Sequence, residues 1–326
     1  MPWEVHFKNG VNLPQIGWWL DAQRSQLRSF VSHAHSDHIA PHREIIATRA
    51  TASLMRLRLG GKRQETILGY DQPWAAEFGC EVRLHPAGHI FGSAMIHATT
   101  ENGSLLYTGD FKLRPGRAAE TCAVPRADVL IMETTFGLPR YVFPPQAEVE
   151  RAIVDFCREA LADGVTPVLF AYSLGKTQEL LQVVGCAGLP VMLHEHGYRV
   201  TRHYAELGMP LPPFSLLNKQ AHAGHVIIAP PRSGQAEPLT WIHPKRTAVA
   251  TGWAMDPGAI YRNGCDAAFP LSDHADFPDL LAFVEKVRPK LVYTLHGFAK
   301  EFAATLRARG TEAWAVGQQN QMDLTL

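Results

Sequence analysis

Three histidines and one aspartate fall within six residues in the run His33-Ala34-His35-Ser36-Asp37-His38. Neutral imidazole and carboxylate together suit zinc, manganese or iron. The run follows a short apolar stretch, Leu27 to Val31, that reads as a strand. A strand end passing into a tight loop can fan such side chains around one point. Alone, the run supplies too few ligands for two metals, and the chain offers more. Pro86-Ala87-Gly88-His89 follows the apolar stretch Val82 to Leu84, and Thr108-Gly109-Asp110 follows Leu105 to Tyr107. Each puts a ligand type at a strand end beside a glycine, which lets backbone approach closely. A single His89 or Asp110 would read as an ordinary turn residue; the repetition at strand ends points to a cluster. Asp110 can bridge two ions, because each carboxylate oxygen can take one.

The elements that must hold these residues alternate along the chain. Short apolar runs also occur at Ile45 to Ala47, Ala94 to Ala98 and Val129 to Met132, so most of the first 135 residues reads as strand and turn. A helix is expected from Gln146 to Asp163, stopped by Gly164. From about 165 to 265 strand and helix alternate as in a parallel α/β unit, with loops at Pro210 to Pro213 and Pro230 to Gly234. The chain then reads helix (Asp279 to Val287), strand (Leu291 to Thr294), helix (Glu301 to Arg309) and strand (Ala313 to Val316).

Composition bounds the function. Of 326 residues, 46% are hydrophobic and 19% charged, enough for a sizeable core. No apolar stretch is long enough for a transmembrane helix, and Met1 to His6 does not read as a secretion signal. The five cysteines form no CxxC pair, which fits a reduced, cytoplasmic setting. The formal net charge is zero, so contact with nucleic acid must be local or must lean on bound cations.

Read in order, these motifs resemble the metallo-β-lactamase fold in its β-CASP nuclease branch. Asp21 after Gly17-Trp18-Trp19-Leu20 matches the first motif, the His33-His35-Asp37-His38 set the second, His89 the third and Asp110 the fourth. Glu133 in Glu133-Thr134-Thr135-Phe136-Gly137, His274 in Ser272-Asp273-His274 and His296 in Leu295-His296-Gly297 match the three β-CASP motifs. Within the branch the chain is similar to bacterial ligase-associated DNA exonucleases, relatives of the DNA-crosslink-repair nucleases. The segment Ala171 to Lys176 resembles a phosphate-contacting stretch of those enzymes. His296 is the departure: it is usual in RNA-processing members and usually absent from the eukaryotic DNA-specific ones.

The resemblance implies an α/β fold, an αββα sandwich formed by residues 1–164 and 266–326, with a β-CASP α/β domain inserted at 165–265. It implies two divalent metal ions, zinc with manganese as the alternative. His33, His35 and His89 would hold one; Asp37, His38 and His296 would hold the other; Asp110 would join them. Ions roughly 3.5–4 Å apart can activate a bridging hydroxide against a phosphodiester. Asp37, His274 and Glu133 are the catalytic candidates. His274 would protonate the leaving oxygen, Glu133 would orient it, and Asp21 would fix the tautomer of a ligand histidine. Ser173 and Lys176 at a helix N-terminus could bind one phosphate, although Phe170 stands where a nucleotide P-loop needs glycine. Arg114 and Arg117 could face phosphate, and Tyr141, Phe143 and Trp253 could stack bases. His85, His97, His194 and His196 match no motif and read as strand or surface residues.

The expected substrate is DNA, single-stranded or with ends, held in a groove between the domains and cut by an exonuclease in repair. The family likeness alone suggests DNA ligase and helicase partners, with no membrane. The alternatives are an RNA-processing nuclease of the same branch, a small-molecule metallo-hydrolase and a binding subunit that has lost its metals.

Overall fold

The structure, a computed structural model, describes residues 3–76, 79–231 and 239–316. Part of the expected Pro230 to Gly234 loop, and residues 317–326, lie outside the described residues. The chain forms two compact units, one from the residues up to Val142 and from His274 onward, the other from Phe143–Asp273.

The first unit begins with six short strands: β1 (His6–Phe7), β2 (Val11–Leu13), β3 (Trp18–Leu20), β4 (Arg28–Phe30), β5 (Glu44–Ala47) and β6 (Gln64–Ile67). They pair in sequence order, antiparallel through β1–β3 and parallel from β3 to β6. Helix α1 (Arg49–Leu59) crosses from β5 to β6, where sequence alone suggested only strand and turn. The cause of that miss is visible. Met55, Leu57 and Leu59 alternate with Arg56 and Arg58 in a strand-like period, yet Ala52 and Met55 pack one helical face onto the sheet with Val31, Ile39 and Ile45. Thr48 caps the helix by accepting the Thr51 N–H through its hydroxyl.

The chain continues through β7 (Trp74–Ala75), β8 (Glu81–Pro86), β9 (Ala94–Thr100), β10 (Gly103–Tyr107) and β11 (Val129–Glu133), and then enters the second unit. There α2 (Gln146–Ala162), β12 (Thr166–Phe170), α3 (Lys176–Cys186), β13 (Val191–Leu193), α4 (Glu195–Glu206), β14 (Ser215–Leu216), β15 (Val226–Ala229), β16 (Lys245–Ala250), α5 (Ala259–Asn263) and β17 (Ala267–Phe269) follow. The six strands form an all-parallel sheet in the order β14-β13-β15-β12-β16-β17. Both faces are covered, as parallel sheets require: Leu169, Ile228 and Ala248 pack under α2 and α3, while Val168 and Ile227 pack with Ile242 on the other face. Helix α2 belongs to this core through Val149, Ile153 and Cys157, so the expected boundaries at 165 and 265 fall inside the unit.

The chain returns with α6 (Phe277–Val287), β18 (Leu291–Leu295), α7 (Ala299–Ala308) and β19 (Ala313–Ala315). These complete a second sheet of order β19-β18-β11-β10-β9-β8-β7. Leu20, Phe30 and Ile46 of the first sheet pack against Leu84, Ile96 and Ile131 of the second, while Met95, Leu130 and Met132 on the outer face lie under Phe283 and Phe302 of the helices. With α1 outside the first sheet, the layers are the expected αββα sandwich. The run Val129–Glu133 is buried throughout because β11 lies between two parallel neighbours, β10 and β18.

Candidate metal centre

The β3, β4, β8, β10, β11 and β18 strands all end at one edge of the sandwich, and each delivers a chemistry-bearing residue there: Asp21, His33, His89, Asp110, Glu133 and His296. Two of these need unusual backbone. Asp21 has φ +47° and His296 φ +60°, left-handed conformations that non-glycine residues rarely adopt and that concentrate at functional sites. Gly109, at φ +56°, is required by space as well: a Cβ there would stand 2.5 Å from Ser32 Cβ.

The core of the site is four donors, from His33, His35, His89 and Asp110, all within 4.8 Å of one another. His33 Nε2 lies 3.0 Å and His89 Nε2 3.1 Å from His35 Nδ1. Asp110 Oδ2 stands 3.5 Å from His33 Nε2, 3.8 Å from His89 Nε2 and, on its other side, 3.4 Å from His38 Nε2. Ligands about 2.0–2.1 Å from a tetrahedral zinc stand about 3.4 Å apart, so this set fits an ion. Proton counting agrees. A single Nδ1 proton on His35 cannot serve two facing nitrogens at once, and a cation among them relieves that crowding. Asp110 Oδ2 lies between the His33–His89 pair and His38. Beyond His38, the Asp37 carboxylate lies 3.6 Å from His38 Nε2 on the open rim, with its side chain 68% exposed, and the His296 ring lies 5.9 Å from that of His38. These donors match in type what a second ion would need.

One carboxylate and one hydroxyl stand behind the candidate ligands and set their tautomers. Asp21 accepts from the Ser32 N–H (2.7 Å), the Ser32 hydroxyl (2.5 Å), the Tyr107 hydroxyl (2.9 Å) and His38 Nδ1 (2.9 Å). So engaged, it is an orienting group rather than a ligand, and it turns the lone pair of His38 Nε2 toward Asp110. With its proton given to Asp21, the Ser32 oxygen accepts from His33 Nδ1 at 2.9 Å, which likewise frees His33 Nε2 for the site. Sequence reasoning missed Ser32 and Tyr107. The available signal was Tyr107 itself, a phenol at an inward position of β10 whose buried hydroxyl must find a partner.

Burial, reinforced by the neighbouring imidazoles of His38 and His89, holds His33 well below the usual histidine range. Burial acts the same way on His38, but the carboxylates of Asp110 and Asp21 outweigh it and raise His38 well above that range. Asp110 is the converse: burial would raise it, and the adjacent His38 holds it well below the usual carboxylate range. His296 is lowered, chiefly by burial.

A second constellation adjoins the first. Glu133 is fully buried, and its Oε1 lies 2.7 Å from His274 Nδ1. The same carboxylate accepts the Phe111 N–H (3.1 Å) and the Thr135 N–H (3.0 Å), so it cannot swing. The His274 ring lies 4.7 Å from that of His89. Its chain is pinned by the Ala275 N–H on the Phe111 carbonyl (2.8 Å) and by Asp276, which caps α6 by accepting the Asp279 N–H (3.0 Å).

Several expected contacts lie elsewhere. Lys176 is buried, with Nζ 2.8 Å from the Leu271 carbonyl and 3.0 Å from Asp273, so its ammonium is held by internal partners rather than presented to a phosphate; Ser173 is half-buried nearby. Arg114 pairs with Asp276 and, at 3.0 Å, with Asp279 at the start of α6, while Arg117 is exposed. Tyr141 is packed between Phe136 and Phe298, which makes it core rather than a base platform; Phe143 and Trp253 are half-buried. His85 and His97 are on β8 and β9, His194 caps α4 and His196 is exposed.

Comparison with known proteins bears on the class of protein. Residues 267–316 match the family model described as a Zn-dependent metallo-hydrolase RNA specificity domain. The chain is 58% identical over 325 residues to a protein of Opitutus terrae named "Probable DNA ligase", covering 99% of this chain and 32% of that protein. It is 25% identical over 293 residues to the human DNA cross-link repair 1A protein, covering 81% of this chain and 27% of that one. The chain thus spans about a third of the length of these relatives. A crystal structure of a protein of unknown function from Enterococcus faecalis V583 superposes with TM-score 0.63 at 11% identity, over 90% of this chain and 79% of that one. Fold and site define a metallo-hydrolase of metallo-β-lactamase type. More narrowly, these likenesses are consistent with a β-CASP nuclease of the metallo-β-lactamase fold, with relatives named for DNA ligase and for DNA cross-link repair. Among the described residues no helix is long and apolar enough to cross a membrane.

Proposed function

We propose that this chain is a metal-dependent nuclease that hydrolyses phosphodiesters of DNA, as an exonuclease in repair. The observation that carries the reading is the pairing of a convergent His33–His35–His89–Asp110 donor set with the buried Glu133–His274 dyad beside it. Two divalent ions, zinc by donor type, would be held by His33, His35 and His89 and by Asp37, His38 and His296, with Asp110 between them. When bound, they supply Lewis acidity to the phosphate and a nucleophile at neutral pH. Asp21 and Ser32 keep the protons of His38 and His33 on Nδ1, so that Nε2 of each stays a donor. Glu133 holds the Nδ1–H of His274 and stabilises its positive form, and His274 delivers the Nε2 proton to the leaving oxygen. Asp37, on the exposed rim, is the ligand best placed to meet an incoming substrate.

DNA is favoured by the similarity to a protein named for DNA ligase and to a DNA cross-link repair protein, and a role beside a DNA-joining activity in the cytoplasm follows as part of this reading. RNA is the second reading, favoured by His296 and by the RNA specificity description of the matched family model. End-labelled single-stranded DNA and RNA of one sequence, assayed side by side in both polarities, test the choice. Metal-dependent shortening of DNA from an end is expected; strong preference for RNA would replace the first reading with the second.

A further inference from the structure

We propose that Arg114 is a positioning residue for proton delivery: its guanidinium ties the start of α6 to the segment that carries Asp110, and so fixes how far His274 stands from the candidate metal centre. The inference rests on the nuclease reading, in which His274 is the acid, and adds to it a residue that acts on the reaction only through His274. The two segments touch first at a pivot. The Phe111 N–H donates at 3.1 Å to Glu133 Oε1, the same oxygen that lies 2.7 Å from His274 Nδ1, and the Phe111 carbonyl accepts the Ala275 N–H at 2.8 Å. The Phe111 ring packs on Phe283 of α6, with centroids 4.4 Å apart. All of these contacts meet at one residue, and apolar packing has no direction of its own. A rotation about that residue, which would swing His274 toward or away from Asp110, is therefore only weakly opposed by them.

Arg114, three residues further along the chain, supplies the second point of attachment. Its guanidinium pairs with Asp276 and, through Nε at 3.0 Å, with Asp279. Asp276 is fully buried and caps α6 by accepting the Asp279 N–H at 3.0 Å. Burial and the neighbouring Asp276 push the Asp279 carboxyl above the usual carboxylate range, and Arg114 opposes both. Two carboxylates at one helix start thus share this cation. A planar guanidinium fork held by two acids fixes an angle as well as a distance, which a single point charge cannot do. Asp276 lies two residues after His274, so the angle set at α6 is passed directly to the acid.

The test uses the full chain loaded with zinc and two single-stranded DNAs of one sequence. One has an ordinary terminal phosphodiester; the other carries sulfur in place of the bridging oxygen that departs, prepared as the 3′- and as the 5′-thiolate. A thiolate leaves without taking up a proton, so it needs no acid. On ordinary DNA at saturation, Arg114→Gln should lower kcat about 10–100-fold, the scale of a misplacement of about 1 Å or less, with KM and zinc content unchanged. On the thiolate DNA it should match the wild type. In a His274→Ala background the same substitution should cost nothing further, because a residue that acts through another is not additive with it. The double variant Arg114→Gln, Asp276→Asn keeps a capping side chain and leaves neither charge buried alone; it should show the same pattern, and it stands in for the single variant if that one does not fold. A rise in KM at constant kcat, an equal loss on both DNAs, or additivity with His274→Ala would overturn the proposal. A chain that cuts neither DNA, or a His274→Ala that slows both equally, would remove the reading beneath it. A His274→Ala that spares the thiolate DNA beside an Arg114→Gln with full kcat would remove the positioning role alone.

Discussion

Among the described residues of the first unit, two groups of clustered histidines lie wholly or partly buried, and they differ in what surrounds them. At the candidate metal centre, His33, His38 and His89 converge on one carboxylate oxygen of Asp110, and Asp21 and Ser32 orient two of them from behind. On β8 and β9, the rings of His85 and His97 also come together, 5.7 Å apart, and Asp71 orients His85 at 2.6 Å. Their Nε2 atoms are buried with no partner among the described residues, and no carboxylate stands between them. Burial lowers both imidazoles, His97 to about 4. Burying histidines therefore does not make a metal site. The difference lies in how many carboxylates a ring meets: Asp110 and Asp21 together outweigh burial and raise His38, while His33, facing Asp110 alone, stays depressed like His85 and His97.

The largest expected effect falls on Asp110. Asp110→Ala should remove bound metal and all measurable phosphodiesterase activity while the circular dichroism spectrum stays native; an active variant would take Asp110 out of the centre. His274→Ala should keep its metal by elemental analysis yet cleave roughly 10²–10⁴ slower, the range for an acid–base group, whereas loss of metal would make His274 a ligand. Asp21→Ala should weaken metal affinity about 10–100-fold in a chelator competition, as loss of an orienting carboxylate does; equal affinity would show that His38 needs no support.

The smallest effect concerns pH and the other histidine group. A histidine depressed in the folded chain takes up its proton more readily when unfolded, where its pKa is about 6.5. The stability it contributes is thus whole above about 6.5 and is lost as pH falls toward about 4. His97→Gln should keep full metal content and flatten the loss of urea stability between pH 7 and pH 5, with His42, also held near 4 by burial, keeping part of it. A pH dependence parallel to the wild type, or a change in metal content, would erase the distinction between the two groups.

The convergence of the candidate donors was legible in the sequence where they lie close along the chain or at strand ends marked by glycine, as with His33 to His38, His89 and Asp110. Glu133 was legible only through motif order, although a carboxylate ending the otherwise apolar run Val129 to Met132 has a physical signature of its own. What stayed hidden depends on pairings far apart in sequence. Tyr107 reaches Asp21 across 86 positions, and Arg114 is taken by Asp276 across 162. Lys176 read as a possible phosphate contact because it adds charge at a helix N-terminus in a stretch that resembles a phosphate-contacting one; the Leu271 carbonyl that holds it is 95 residues away. Helix α1 was lost because its arginines break the apolar face into a two-residue rhythm. The sandwich itself was legible only through the family resemblance that the ordered motifs carry; the strand ends by themselves pointed to a cluster and not to a layer arrangement.

The most direct test is the metal content of the purified chain after equilibration with zinc and removal of free ion, measured by mass spectrometry beside Asp110→Ala. The account predicts two tightly held ions per chain in the wild type and their loss in the variant. A wild-type chain that retains no divalent ion, or a variant that retains both, would contradict it.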